Sequence, residues 1–378
     1  MIRLKEPYDY TEPGFDRLVA ELSERTAGRT DHRLRQLQQT DTGAYLALGT
    51  AARVVASWQA AAHIQQYLDQ QRAQLNLYVI QPVFREGRRL MPRSAENPYG
   101  ENALVYKLSR FDRLSAQFPR IRFSVIVIDD GCDGGGDPDL VSSKVAHHLI
   151  AGYRQANPDS CANMEVLLLN NLIREAPALG WEARMESPAV SHKGGSVLAG
   201  FAYARHQADR LQGNSGKQFS LFVDYDADLS LHPDQVMLLA EKVLVGGHAG
   251  AVASRRHKEA ISYIDPERDR RGQDYIQAWQ VLLPILAAQV TDVNRGLKAY
   301  SQTAVNTILA TVEERTFPFQ IECLLAIVIS LEARLAEVPV SYIDSVALST
   351  QAGEEAAQAY EDQLGRIRQI ARRYGQAT

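Results

Sequence analysis

The chain has 378 residues, of which 45% are hydrophobic and 23% charged, with a formal net charge of −4. That length holds one large domain with extensions or two domains. The mildly acidic balance argues against a general nucleic-acid binder, which would show a basic excess.

Residues 1–75 are Gln/Ala-rich and helical in pattern. Phe15, Leu18, Val19 and Leu22 fall at helical spacing, and residues 45–68 are a long helix-favouring run. No catalytic constellation stands out there, so a helical cap or an oligomerisation element is expected. From residue 76 the texture changes. Short β-branched runs (77–83, 123–128, 164–169) alternate with helical stretches (103–118, 140–155). This alternation predicts βαβ units around a mostly parallel sheet flanked by helices. Further strands are expected at 220–223, near 249–253 and at 338–340, with helices at 273–290 and 354–374. In the last helix Tyr360, Leu364, Ile367, Ala371 and Tyr374 are in register. The reading is therefore a helical N-terminal extension (1–75), a catalytic α/β domain (76–345) and a C-terminal amphipathic helix (346–378). Both end segments offer surfaces for self-association. The Gly/Asn/Pro-rich loop 91–102 follows the first strand, where a lid or binding loop would lie.

Several features bound the setting. Cys132, Cys161 and Cys323 are scattered and odd in number, without metal-ligand spacing or a disulfide framework, which points to a reducing cytoplasm. The start MIRLKEPYDY has no apolar h-region. The longest apolar stretches, 323–331 and the Pro-broken 281–290, fall short of the roughly 18–20 residues that span a bilayer.

Open α/β sheets bind ligands beyond the carboxyl ends of their strands, and polar groups gather at those ends here. The first strand runs into Pro82, Phe84 and Glu86, which become nucleotide-binding candidates. The second ends in VIDDGCDGGGD, residues 127–137. It has no G-x-G-x-x-G, and Asp129, Asp130 and Asp133 would repel a pyrophosphate. A carboxylate there suits a neutral donor such as a uracil N–H or a ribose hydroxyl; a Gly-rich turn with solvated acids is the alternative.

The fourth strand ends in LFVDYDADLS, with acids at 224, 226 and 228. Alternate strand residues face one way, with Cα atoms about 6.5–7 Å apart. Two carboxylates at that range repel by about 2–3 kcal/mol at an effective dielectric near 20. A divalent cation relieves this, and Mg²⁺ or Mn²⁺ prefers a carboxylate or two plus substrate phosphates. In SHKGGSVLAGFAYA, residues 191–204, backbone N–H groups at a helix start together with Lys193 suit an anion. Arg255 and Arg256 follow another strand and suit a diphosphate, with a solvated basic turn as the alternative. Asp292 lies in DVNRGLK. Glu322 opens an apolar helix, as an electrostatic cap or as a buried base.

These pieces, in this order, resemble the family 2 glycosyltransferases of the GT-A (nucleotide-diphospho-sugar transferase) fold, and most of all the dolichyl-phosphate glucosyltransferase-like group. IDDGCD looks like V-D-D-G-S-x-D and HKGGSVLAGFAYA like N-K-G-x-A-x-A-x-x-x-G. DADLS matches the metal motif, SRR the G-S-R, DVNRGLKAYS the D-x-x-x-G-F-K-x-F, and FQIECLLAI the F-x-x-E-L-L helix. The resemblance covers roughly residues 76–345. It implies that Asp226 and Asp228 hold Mg²⁺ or Mn²⁺, with Asp228 the more direct ligand. It implies that Asp130 and Glu86 contact the nucleotide, uracil before guanine, and that Lys193 and Arg255 lie near the diphosphate. Glu322 falls where many members carry their general base, and Asp292 would help hold the sugar or acceptor. Arg268, Arg270 and Arg271 fall in the loop where relatives meet the acceptor. Departures are Cys132 for Ser, His192 for Asn, Gly195 for Ala, Leu297 for Phe, the N-terminal extension, the lengthened loop near 92–102, and the lack of the membrane-associated tail of many relatives.

The implied reaction is transfer of a sugar from a nucleotide-sugar donor, UDP-glucose favoured, to a small-molecule or phosphate-bearing acceptor, with inversion. Two other classes stay open. A nucleotidyltransferase would carry a G-x-G-x-R-like loop where this chain has QPVFREGRRL. A non-catalytic sugar-nucleotide-binding scaffold would tolerate loss of the acids.

Overall fold

The computed structural model describes residues 10–11, 13–23, 34, 36–38, 40–191, 193–212, 217–344 and 355–376. Its organising element is β1, Ala73–Val83, buried from Leu75 onward. Leu75, Leu77 and Val79 face one core, while Tyr78 and Ile80 face the other. A strand apolar on both faces belongs inside a sheet covered on both sides. The sheet order is β3 (Asn163–Leu168), β2 (Ile121–Asp129), β1, β4 (Lys217–Tyr225), β7 (Leu297–Ser301), β5 (Gly250–Ser254) and β8 (Leu335–Pro339). All neighbours run parallel except β7, which is antiparallel to both β4 and β5. A small parallel pair, β6 (Ile261–Tyr263) and β9 (Ser341–Ile343), lies apart.

The expected α/β architecture is thus present, with each of the six expected strands in place. β7 was legible only as a motif. Its pattern, Leu297-Lys298-Ala299-Tyr300-Ser301, carries a fully buried lysine, which masks the apolar signature of an inner strand. The helix expected at 273–290 begins earlier, at Pro266, and stops at Leu282, just ahead of Pro284, because a residue before proline is driven out of helical geometry. Arg268, Arg270 and Arg271 therefore lie on a helix rather than in a loop.

The N-terminal segment is built into the main core. Its long helix, Thr42–Gln71, starts on Asp41, whose side chain accepts from the Ala44 N–H at 2.9 Å. Ala60, Ala61, Ile64 and Leu68 join the cluster that includes Leu75, Leu77 and Val79. The boundary expected at 75/76 falls inside β1. A buried ion pair fastens the join: Arg110 donates twice to Asp234, at 3.0 and 2.6 Å, and Trp58 Nε1 donates to the same carboxylate at 2.7 Å. At the other end, Leu364, Ile367, Ile370 and Ala371 of the helix Glu355–Arg373 are buried against the second face. Among the described residues no helix is long and apolar enough to cross a membrane.

Because Ile64 is fully buried between the N-terminal helix and the sheet, Ile64→Ala should cost about 2–5 kcal/mol. Urea unfolding monitored in the whole chain checks this; a detachable N-terminal helix would leave the main transition unchanged.

Candidate active site

The carboxyl ends of β1, β2, β4 and β5 and the start of antiparallel β7 share one edge of the sheet. Asp224 is the last but one residue of β4 and is buried. The strand ends at Tyr225, so Asp226 and Asp228 sit on the loop beyond it. The Asp226 N–H donates to Gly296 O at 2.7 Å. A Cβ at Gly296 would lie 2.0 Å from Asp226 Cγ, so only glycine lets the two segments meet this closely.

Lys193 links three of the expected acids. Its Nζ donates to Asp226 Oδ1 and stands 4.0 Å from Asp224 Oδ1. Its backbone is left-handed, with φ 79°, and its N–H donates to Asp130 Oδ2 at 2.9 Å. The next turn is locked in turn: the Gly195 N–H donates to Arg315 O at 3.0 Å, and a Cβ at Gly194 would lie 2.5 Å from that oxygen. Behind Lys193, Asp224 Oδ2 accepts from Gln320 Nε2 at 3.2 Å, and Gln320 Oε1 accepts from Lys298 Nζ at 2.9 Å. Burial alone would raise the Asp226 carboxyl, but Lys193, Arg295 and Lys298 overcome it and hold the group well below the usual range. For Asp224 burial wins over Lys193 and Lys298, and its pKa is raised. Burial pushes Lys298 down to about 8.

Asp228 is half-buried, and its Oδ1 accepts from the Ser230 N–H at 3.1 Å and from Ser230 Oγ at 2.6 Å. Nearby, Arg89 Nη1 donates to Glu86 Oε2 at 2.6 Å, and Arg89 Nε lies 3.4 Å from Glu101 Oε1. Glu101 Oε2 accepts from the Leu229 N–H at 2.9 Å, so the end of loop 91–102 braces the loop that carries Asp228. Burial lifts the Glu86 carboxyl to about 7 against the pull of Arg89. Beneath lies Lys107, fully buried, donating to the carbonyls of Asp226 and Ala227 and resting 4.4 Å from the Tyr225 ring centre. Burial brings it to about 8.

On the β5 side, Asp292 Oδ2 accepts from Arg255 Nε at 3.0 Å and from the Arg255 N–H at 3.3 Å. Arg256 pairs with Asp269 at 2.5 Å. The guanidinium groups of Arg255 and Arg295 lie 5.4 and 4.8 Å from the centre of the Tyr342 ring. Arg255 and Arg295 hold Asp292 ionised against its burial.

No family model and no curated protein matches the chain. Among solved structures, glucosyl-3-phosphoglycerate synthase from Mycobacterium tuberculosis with Mn²⁺, UDP and glucosyl-3-phosphoglycerate is similar at 14% identity and TM-score 0.48, over 84% of this chain and 85% of that one. The same enzyme with Mn²⁺, UDP-glucose and phosphoglyceric acid aligns at 14% identity and TM-score 0.47, over 82% and 83%. With Mn²⁺, UDP-glucose and glycerol 3-phosphate the values are 14% and 0.46, over 84% and 85%. These likenesses assign no role to any residue here.

The expected residues separate clearly. Asp130, Lys193 and Asp226 form one connected set, Glu86 and Asp228 flank it, and Arg255 joins Asp292. Pro82 is buried in β1 opposite Ile128, while Phe84 is 46% exposed with the Arg85 guanidinium 5.3 Å from its ring centre. Asp129 is consumed by the N–H groups of Cys132 and Ser143, both at 2.8 Å, and Asp133 pairs with Arg85. His192 lies outside the described residues. Glu322 is not among the groups meeting at this edge. Its Oε2 accepts from the N–H groups of Glu313 and Glu314, at 3.1 and 2.6 Å, and its Oε1 accepts from Arg373 at 2.7 Å. That carboxylate fastens the 313–316 turn and the C-terminal helix, and Gln320, one turn earlier, is the side chain that reaches Asp224. Lys107, Lys298, Gln320 and Arg295 were missed. A lysine within the apolar set Leu104, Leu108 and Phe111 was the one available signal for Lys107.

Glu322→Ala leaves the buried Glu314 N–H and the part-buried Glu313 N–H without an acceptor and frees the partly exposed Arg373, so stability should fall by roughly 1–3 kcal/mol, read by denaturant unfolding. An unchanged midpoint with abolished turnover would instead return Glu322 to the chemistry. Glu86 gives a pH test. With its folded pKa raised to about 7 from 4.5, its contribution is fully present below pH 4.5 and lost as pH rises through 7. The Tm of the chain relative to Glu86→Gln should therefore decline across that window; a flat difference refutes the burial effect.

Proposed function

We propose that the chain is a divalent-metal-dependent glycosyltransferase of the GT-A fold and of family 2. It moves a sugar, glucose favoured, from a UDP-sugar to a small-molecule or phosphate-bearing acceptor with inversion. The observation that carries this reading is Lys193. One residue touches Asp130 at the end of β2 and Asp226 beyond β4, bringing together three motifs that the sequence could only align in order. The sheet, with its antiparallel β7 between β4 and β5, supports the fold reading. The motif order keeps the dolichyl-phosphate glucosyltransferase-like group as the finer kinship. Three free cysteines support a reducing, cytoplasmic setting.

The donor set fits a hard divalent ion. Asp226 is held ionised and Asp228 keeps a half-exposed carboxylate. Among the described residues no three acids, histidines or cysteines gather to hold a metal alone. Mg²⁺ or Mn²⁺ would thus rest on Asp226 and Asp228 and on donor phosphate oxygens, and when bound would neutralise charge on the leaving diphosphate. Asp130 and Glu86 orient the nucleoside. Lys193 exchanges Asp226 for diphosphate oxygens, placing a positive charge where negative charge develops. Asp292, 1% exposed and with its Oδ1 free of any donor, helps hold the sugar or acceptor.

The test is a thermal-shift panel of UDP and GDP with Mn²⁺ or chelator. UDP with Mn²⁺ at about 100 times its Kd should stabilise by roughly 2.7 kcal/mol. Asp226→Asn should remove the metal-dependent part of that shift. No shift with any nucleotide rejects the reading.

A further inference from the structure

Arg295 stands apart from the other cations of this edge. Lys193 pairs with Asp226, Arg255 with Asp292, Arg256 with Asp269 and Arg89 with Glu86, while Lys107 and Lys298 are spent on carbonyls and on Gln320. Among the described residues the Arg295 side chain has neither a hydrogen bond nor an ion pair, and its Nε is buried without a partner. It is held in place by the Tyr342 ring and by the Arg295 O···Lys298 contact. Three residues earlier, Asp292 is in the complementary state. Its Oδ2 is occupied, but Oδ1 is buried without a donor. A guanidinium that acts on Asp226 and Asp292 through its charge but makes no hydrogen bond, and a carboxylate oxygen without a donor, thus stand on one short loop, 292–295.

Resting on the transferase reading above, we propose that Arg295 and Asp292 form a recognition site for a hydroxylated anion. Arg295 takes the phosphate or carboxylate group, and Asp292 Oδ1 takes a hydroxyl of the same molecule. A planar guanidinium with unspent donors matches the oxygens of such a group in a fork. Two sources offer this chemistry, the acceptor and the diphosphate of the donor. A diphosphate carries no hydroxyl for Asp292 Oδ1, which favours the acceptor, and the strand order removes the nucleoside. Asp130 follows β2, whereas Arg295 precedes β7, three strand positions away. At about 4.8 Å per strand the two lie roughly 14 Å apart, so a nucleoside at Asp130 does not reach Arg295.

The experiment is isothermal titration of the full chain, Arg295→Met and Arg295→Lys, with glycerol 3-phosphate, inorganic phosphate, glycerol, and UDP plus Mn²⁺. Arg295→Met should weaken glycerol 3-phosphate and phosphate by about tenfold or more, the loss of a charge-assisted hydrogen bond. Arg295→Lys should recover part of that, and UDP should stay within about twofold. A loss confined to UDP supports the anion site with the donor as its source. Intact UDP binding in both variants, with phosphate and glycerol 3-phosphate binding unchanged or absent throughout, overturns the Arg295 assignment alone. Failure of the unmodified chain to bind UDP overturns the transferase reading instead.

Discussion

Two neighbouring carboxylates at the end of β4, Asp224 enclosed and Asp226 partly so, set the terms for the rest of the molecule. Moving an ion out of water costs several kcal/mol even after relaxation, and cations are delivered to Asp224 and Asp226 from separate elements. Lys193 comes from the turn ahead of the helix Gly194–Gln212, and Lys298 from the middle of β7. Gln320 on the helix Phe319–Leu325 relays between Asp224 and Lys298. No one of these segments is near another in sequence. The fold is what assembles them.

Much of the remaining structure follows from keeping that assembly rigid. Lys193 adopts a left-handed backbone because its N–H is aimed at Asp130 and its successor residues press against Arg315 O. Gly296 admits Asp226 where no Cβ would fit. Lys107, on the opposite core face, grips the carbonyls of Asp226 and Ala227 from below. Further out, Tyr10 donates its hydroxyl to the carbonyls of Leu229 and Leu231, so the N-terminal segment steadies the loop that carries Asp228. The expected cap is thus a support for the site edge as well as part of the core.

The edge is organised as a row. Acids that suit neutral donors stand at β1 and β2, the lysine and paired carboxylates at β4, and arginines with Asp292 toward β5. Matching almost every charge with a local partner keeps the row stable without ligand. Loop 91–102, expected as a lid or binding loop, is tied at several points: Asn97 Nδ2 donates to Arg88 O and Pro92 O, and the Glu101 carboxylate accepts from the Leu229 N–H and lies 3.4 Å from Arg89 Nε.

The sequence by itself determined the alternation of strands and helices and the strand ends where polar groups collect, and it named Asp130, Lys193, Asp226, Arg255 and Asp292 as candidates. Each of these is written locally, as apolar runs that end in polar residues, and local pattern is what periodicity and motifs record. Only the tertiary structure decided which acids share a cation and which are spent. Asp129 and Asp130 are adjacent, yet one caps backbone N–H groups while the other meets Lys193. Glu322 reads equally as a helix cap or as a buried base until the C-terminal helix brings Arg373 to it across 51 positions. Lys298 hides β7, and Arg295 is inconspicuous in a loop, because burial and ion pairing are relations between distant segments. A chain's own order carries the side chains, and folding alone fixes the partners that give them their charge state and their work.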